Sequence, residues 1–123
     1  MASAEDVRYR LQLGDGFLNE ARQNLTLGRW RSCVDNSQLS VENVARSVLA
    51  LLGPVGRTQA VADISRQAVQ DARFSSLLAP RVASLAELTE HLPWDVHVAS
   101  DYGDELGRHT PWELFDEPSA RDA

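Results

Sequence analysis

Residues 30–54, WRSCVDNSQLSVENVARSVLALLGP, decide the fold. Trp30, Val34, Ser37, Val41, Val44, Val48 and Leu51 recur at alternating steps of four and three. That spacing puts them down one side of a helix that packs along another helix. Gly53-Pro54 ends the pattern, because glycine releases the chain and proline cannot continue a helix. The helix is predicted from Arg29 or Trp30 to Leu52. The stretch before it carries a matching pattern in Val7, Leu11, Gly14, Leu18, Ala21 and Leu25. A first helix is therefore predicted from about Ala4 to Leu27. Ser3 suits its N-cap, with Glu5 and Asp6 in the first turn, where the helix dipole favours anions. Gly28 suits its C-terminal cap. So short a turn between two long helices implies an antiparallel hairpin. Gly14 and Gly16 each lower helicity by roughly 1 kcal/mol relative to alanine. Gly14 lies on the apolar stripe, where a close helix approach would account for it.

Beyond Gly53 the patterns shorten. A third helix is predicted from about Gln59 to Leu77, with Val61, Ile64, Ala68 and Ala72 inward. Pro80 suits the first turn of a fourth, which turns Val82, Leu85, Leu88 and Leu92 inward. Pro93 ends or kinks it, and residues 94–100 continue at a new angle. Tyr102 to Gly107 reads as a loop. Thr110-Pro111-Trp112-Glu113 is a capping box, followed by a short helix through Phe115. Ser119 to Ala123 looks like the opening turn of a last helix. Strand signals are almost absent, and no repeat or long linker appears. The expected fold is all-α, an up-and-down helical bundle of four to five helices, as one domain over residues 1–123.

Composition limits the partners. The 123 residues hold 12 basic and 18 acidic side chains, a net charge of −6. Every basic residue is arginine. A broad basic face for general phosphate binding is therefore not expected, though local arginine clusters can still meet a nucleotide or RNA. Cys33 is the single cysteine, which fits a reducing, cytoplasmic setting and reads as a small core residue. The opening MASAEDVRYR lacks the apolar run of a signal peptide, and no window of about 18 apolar residues predicts a membrane span.

Few residues point to chemistry. His97 and Asp101, four apart, would share a helix face, but a metal site needs further ligands, so none is expected. Phosphate-loop and dinucleotide fingerprints are absent, so no cofactor is expected. Asn36, Ser40, Asn43 and Ser47 form a stripe about 100° around the second helix from the apolar one. Small uncharged polar residues let a backbone approach, so the stripe reads as a ligand-cleft wall or a self-association face, with a solvated flank as the plain alternative. Glu42 and Arg46 lie beside it as an i,i+4 pair. Trp94, Tyr102, Trp112 and Phe115 crowd the last third beside Arg108 and His109. Such aromatics pin an irregular tail or stack a base.

The run Gly28-Arg29-Trp30-Arg31-Ser32-Cys33-Val34-Asp35-Asn36, continuing through Val41-Glu42-Asn43-Val44-Ala45-Arg46 to Gly53, resembles the central helix of HEPN-domain proteins. It is most similar to the short stand-alone archaeal and bacterial kind. Glu42 and Arg46 match the Glu and the basic residue near the end of that helix. The tail from Tyr102 through Thr110-Pro111-Trp112-Glu113-Leu114-Phe115 to Arg121 resembles the family's closing loop and the start of its last helix. The resemblance implies an up-and-down helical bundle, commonly a homodimer. It also implies a nucleotide- or RNA-associated role, often beside a nucleotidyltransferase partner protein in a toxin–antitoxin pair. Ribonuclease members carry an Arg followed four to six residues later by a His. No Arg here is so spaced from His91, His97 or His109, and Gln59 stands where a His would have been looked for. A non-catalytic binding module is therefore expected. The alternatives are a metal-independent endoribonuclease using Arg108 and His109, and a helical dimerisation adaptor.

Overall fold

The computed structural model describes residues 4–52, 61–90 and 103–123. The fold is an all-α helical bundle, with two long packed helices and no strand among the described residues. In chain order the helices are α1 (Ala4–Thr26), α2 (Trp30–Ala50), α3 (Val61–Gln70), α4 (Ala79–Glu90), α5 (Pro111–Leu114) and α6 (Glu117–Asp122). Residues 1–3, 53–60 and 91–102 lie outside the described set, and with them Ser3, Gly53, Pro54, Gln59, His91, Leu92, Pro93, Trp94, His97, Asp101 and Tyr102. By contacts the chain divides into two compact units. The first comprises Met1–Gly14 and Val41–His91; the second comprises Asp15–Ser40 and Leu92–Ala123.

Helix ends follow local chemistry. Gly28 ends α1 at φ +72°, in the left-handed region that glycine enters without penalty. Arg29 N–H donates to Asn24 O at 2.8 Å and Gly28 N–H to Leu25 O at 3.2 Å, which satisfies the last carbonyls in a Schellman cap. α3 closes the same way, but earlier than Leu77. Arg73 N–H donates to Ala68 O at 3.0 Å and Ala72 N–H to Val69 O at 3.1 Å, around Ala72 at φ +55°. A capping alanine gives no sequence signal, because its Cβ is disfavoured there. Ala72 is consequently an exposed cap and not an inward residue. Ser75 then accepts from Leu78 N–H at 3.3 Å and opens the turn into α4, with Pro80 in its first turn as predicted.

In the first unit, α3 and α4 pack on one another through small side chains. Ser65, Ala68, Val82 and Ala86 are buried, while Leu88 is exposed. The buried line of α4 is thus turned from the predicted one: Ala86 allows a closer approach than Leu88 would. Arg10 Nη1 of α1 donates to Asn43 Oδ1 of α2 at 3.2 Å. Gly14 is buried, whereas Leu11 is 44% exposed.

In the second unit, α1 and α2 run antiparallel from the Gly28 turn. Asn24 Nδ2 donates to Asn36 Oδ1 at 2.9 Å, and Asn36 Nδ2 donates to Glu20 Oε2 at 3.0 Å. These bonds turn Ala21, 3% exposed, onto α2 and leave Leu18 exposed. The tail joins this unit. Asp116 caps α6 by accepting from Ser119 N–H at 2.9 Å, so that helix begins two residues before the predicted Ser119. Ala120 then packs with Ala21, Cys33 and Val34, and Leu25, Trp30 and Phe115 close around them.

Two positions test this account of the helices. Gly16 is exposed inside α1 with nothing within 4 Å of an added Cβ. Gly16→Ala should raise stability by about 1 kcal/mol in urea unfolding. Ala72→Gly should also stabilise, by up to about 1 kcal/mol, because it relieves a left-handed alanine.

Candidate functional site

The site is built where the Gly28 turn delivers the start of α2. Reversing the chain in so few residues places Arg29, Trp30 and Arg31 beside the tail. Trp30 is half-buried against the core cluster of Ala21, Cys33, Val34 and Ala120. Phe115 packs against the same cluster, held by caps on both sides. Thr110 Oγ1 accepts from Glu113 N–H at 3.3 Å at the start of α5. At its end, Phe115 N–H donates to Pro111 O at 3.1 Å. Pro111 is buried, whereas Trp112 on the same short helix is 72% exposed. The expected pinning of the tail therefore falls to Phe115, and Trp112 is left projecting.

A cleft of about 410 Å³ opens between these elements, lined by residues 28–32, Trp112 and Phe115. Arg31 crosses one side, its guanidinium carbon 5.9 Å from the centre of the Trp112 ring. At that distance a cation is attracted by the ring's negative face. Arg31 Nη2 also donates to Ser32 Oγ at 3.1 Å. α2 carries no acidic residue in its first turn, so nothing there offsets the positive end of its dipole. The cleft thus combines two arginines with indole surface.

The residues singled out from the sequence lie elsewhere. Asn36, Ser40, Asn43 and Ser47 are all buried, at 9%, 6%, 7% and 1% exposure. Asn36 and Ser40 belong to the second unit; Asn43 and Ser47 belong to the first. The close helix approach inferred for this stripe is made by α1 of the same chain, through the Asn36 and Asn43 hydrogen bonds. Glu42 and Arg46 form the predicted i,i+4 pair at 3.3 Å, with the arginine largely covered and the glutamate exposed. Arg108 and His109 sit on a tight loop closed by paired hydrogen bonds between Asp104 and His109, at 2.8 and 2.9 Å. Gly103 permits that closure, since a Cβ there would strike the His109 carbonyl oxygen. His109 Nδ1 lies 3.3 Å from Glu113 Oε2, and both side chains are more than half exposed. Among the described residues no group of His, Cys, Asp and Glu is placed to hold a metal, and no helix is long and apolar enough to cross a membrane.

Compared with protein-family models, curated proteins and solved structures, the chain matches none.

Sequence reasoning missed Arg29, Trp30 and Arg31 as site residues because each also reads as an ordinary helix start. The signal that could have found them is the run Gly-Arg-Trp-Arg itself, two cations around an indole at a helix N-terminus.

Two carboxylates border the cleft's aromatic residues in sequence. Glu113 is held below its ordinary value of 4.5, chiefly by the hydrogen bond from His109 and then by the Thr110 hydroxyl and backbone amide. Asp116 is held below 3.8 by the Ser119 hydroxyl and amide. A carboxyl with a lowered folded pKa adds stability above its unfolded value, and that contribution is lost as pH falls through the folded one. NMR titration should show both groups ionising at lower pH than free side chains. His109→Ala should move the Glu113 midpoint up toward 4.5 and leave Asp116 in place.

Proposed function

We propose that this chain is a non-catalytic, nucleotide- or RNA-associated binding module, and that the cleft beside the Gly28 turn receives the ligand. One observation carries this reading: Arg31 lies over the projecting Trp112 in a 410 Å³ cleft that Arg29 also lines. An indole face stacks a base, worth about 1–3 kcal/mol per base. A guanidinium forks onto phosphate oxygens, which no neutral donor does as well. The volume falls in the roughly 300–1,000 Å³ range of small-ligand sites.

The likeness of residues 28–53 and 102–121 to HEPN proteins supports the same reading. It extends the proposal to a homodimer in the cytoplasm, working beside a nucleotidyltransferase in a toxin–antitoxin pair. Cleavage at Arg108 and His109 has less support. His109 is engaged by Glu113, with both side chains more than half exposed.

Titration of the purified chain with adenine nucleotides and short RNA, followed by tryptophan fluorescence and calorimetry, tests the proposal. Binding should be saturable. Arg29→Ala and Trp112→Ala should each weaken it about tenfold, as the loss of one charged hydrogen bond or one stacked base implies. Absence of binding, or binding indifferent to both substitutions, would rule out the cleft.

A further inference from the structure

We infer that the cleft takes a single nucleotide-sized anion, one planar ring and one terminal phosphate, and that it does not track a nucleic-acid strand. This rests on the nucleotide reading of the cleft and narrows it. Arginines attract one phosphate into the cleft, while carboxylates on the adjoining tail helices disfavour several.

Size comes first. A volume of about 410 Å³ lies near the small end of ligand sites, enough for about one nucleotide. Charge decides the rest. A protein that follows a strand lays a positively charged groove along successive phosphates. Among the described residues that line the cleft, the cations are Arg29 and Arg31, both at the start of α2. In the tail, each lining aromatic is followed directly by an acid: Trp112 by Glu113, and Phe115 by Asp116. Both acids are exposed, and hydrogen bonds from His109, Thr110 and Ser119 favour their charged forms. Glu117 follows, and Arg121 is engaged with it at 2.8 Å. α5 and α6, which flank Phe115 in sequence, thus carry exposed carboxylates, and a strand laid along them would meet net negative charge. A single nucleotide avoids them, with its ring on Trp112 and its phosphate turned to Arg29.

Counterion release gives a direct readout. Each phosphate neutralised on a single strand adds about 0.7 to the slope of log affinity against log salt. One phosphate group held by the two arginines therefore predicts a slope of about 0.7. Calorimetry on the full chain would compare adenosine, AMP and a short 5′-phosphorylated oligoadenylate across a salt series. AMP should bind at least about tenfold tighter than adenosine, as the phosphate contact requires. The oligoadenylate should bind no tighter than AMP, with the same shallow slope. The two sources of a terminal phosphate are separated by these arms: equal affinity means that only the end nucleotide is held. An oligoadenylate preferred by more than about tenfold, or a slope of about 1.4 or more, as two or more held phosphates imply, would overturn the single-nucleotide inference while leaving the nucleotide reading standing. Adenosine binding as well as AMP would overturn it too. If none of the three binds, the cleft reading itself fails and this inference falls with it. Glu113→Gln supplies an internal check: it should improve oligoadenylate binding several-fold and change AMP binding little.

Discussion

The amide of Asn36, held between Glu20 and Asn24, is the contact on which the second unit depends. It is 9% exposed, yet it spends its oxygen on Asn24 and its nitrogen on Glu20. A buried amide without partners costs about 1–3 kcal/mol, and a hydrogen bond to a charged group contributes about 1.5–3 kcal/mol. Those two magnitudes tie the rotation of α1 to α2. Once Glu20 and Asn24 must face Asn36, Ala21 faces it as well, and Leu18 is turned outward. The Gly28 cap then has one direction to take, and Trp30 and Arg31 emerge beside the tail. Phe115 and Ala120 settle against the surface that this rotation exposes. The cleft follows from the seam.

Small residues recur wherever helices meet. Ala21, Cys33 and Ser40 lie buried in the second unit; Ser47, Ser65, Ala68 and Ala86 lie buried in the first. Leu49 is the one large side chain below 2% exposure among the described residues. Close helix packing through small side chains gains dispersion contact along the backbone, while full burial of a leucine is worth about 1.5–3 kcal/mol. The leucines here recover only part of that, since Leu11, Leu51 and Leu88 stay roughly half exposed. Specific polar contacts, Asn36 with Glu20 and Asn24 and Asn43 with Arg10, fix the register. Cys33 fits this pattern as a packing residue. Burial pushes its thiol above the ordinary cysteine value, against a smaller lowering by Ser37, so it is held neutral.

Much of the architecture was legible in the sequence. The hairpin, the Gly28 cap, Pro80 in the first turn of α4 and the Thr110 capping box each rest on a residue whose chemistry allows few alternatives. The end of α3 was not legible, because an alanine does the work usually given to glycine. In α1 the expected stripe holds at Gly14 and Ala21 but not at Leu11 and Leu18, and in α2 and α4 ranking positions by hydrophobicity favours Val44 and Leu88 over Asn43 and Ala86. The candidate site was hidden because its parts are distant in sequence. Trp112 was visible as an aromatic near Arg108 and His109, but the arginine that meets it is Arg31. No periodicity pairs those two residues; the fold does, through the cap at Gly28 and the packing of Phe115.

The Asn36 seam organises the cleft. A double-mutant cycle between Asn24→Ala and Asn36→Ala, read by chemical denaturation, tests that claim most directly. The predicted coupling is about 1 kcal/mol or more, because either single change strands the other amide. Additive effects, within about 0.3–0.5 kcal/mol, would mean that the two asparagines act independently and that the seam does not fix the register.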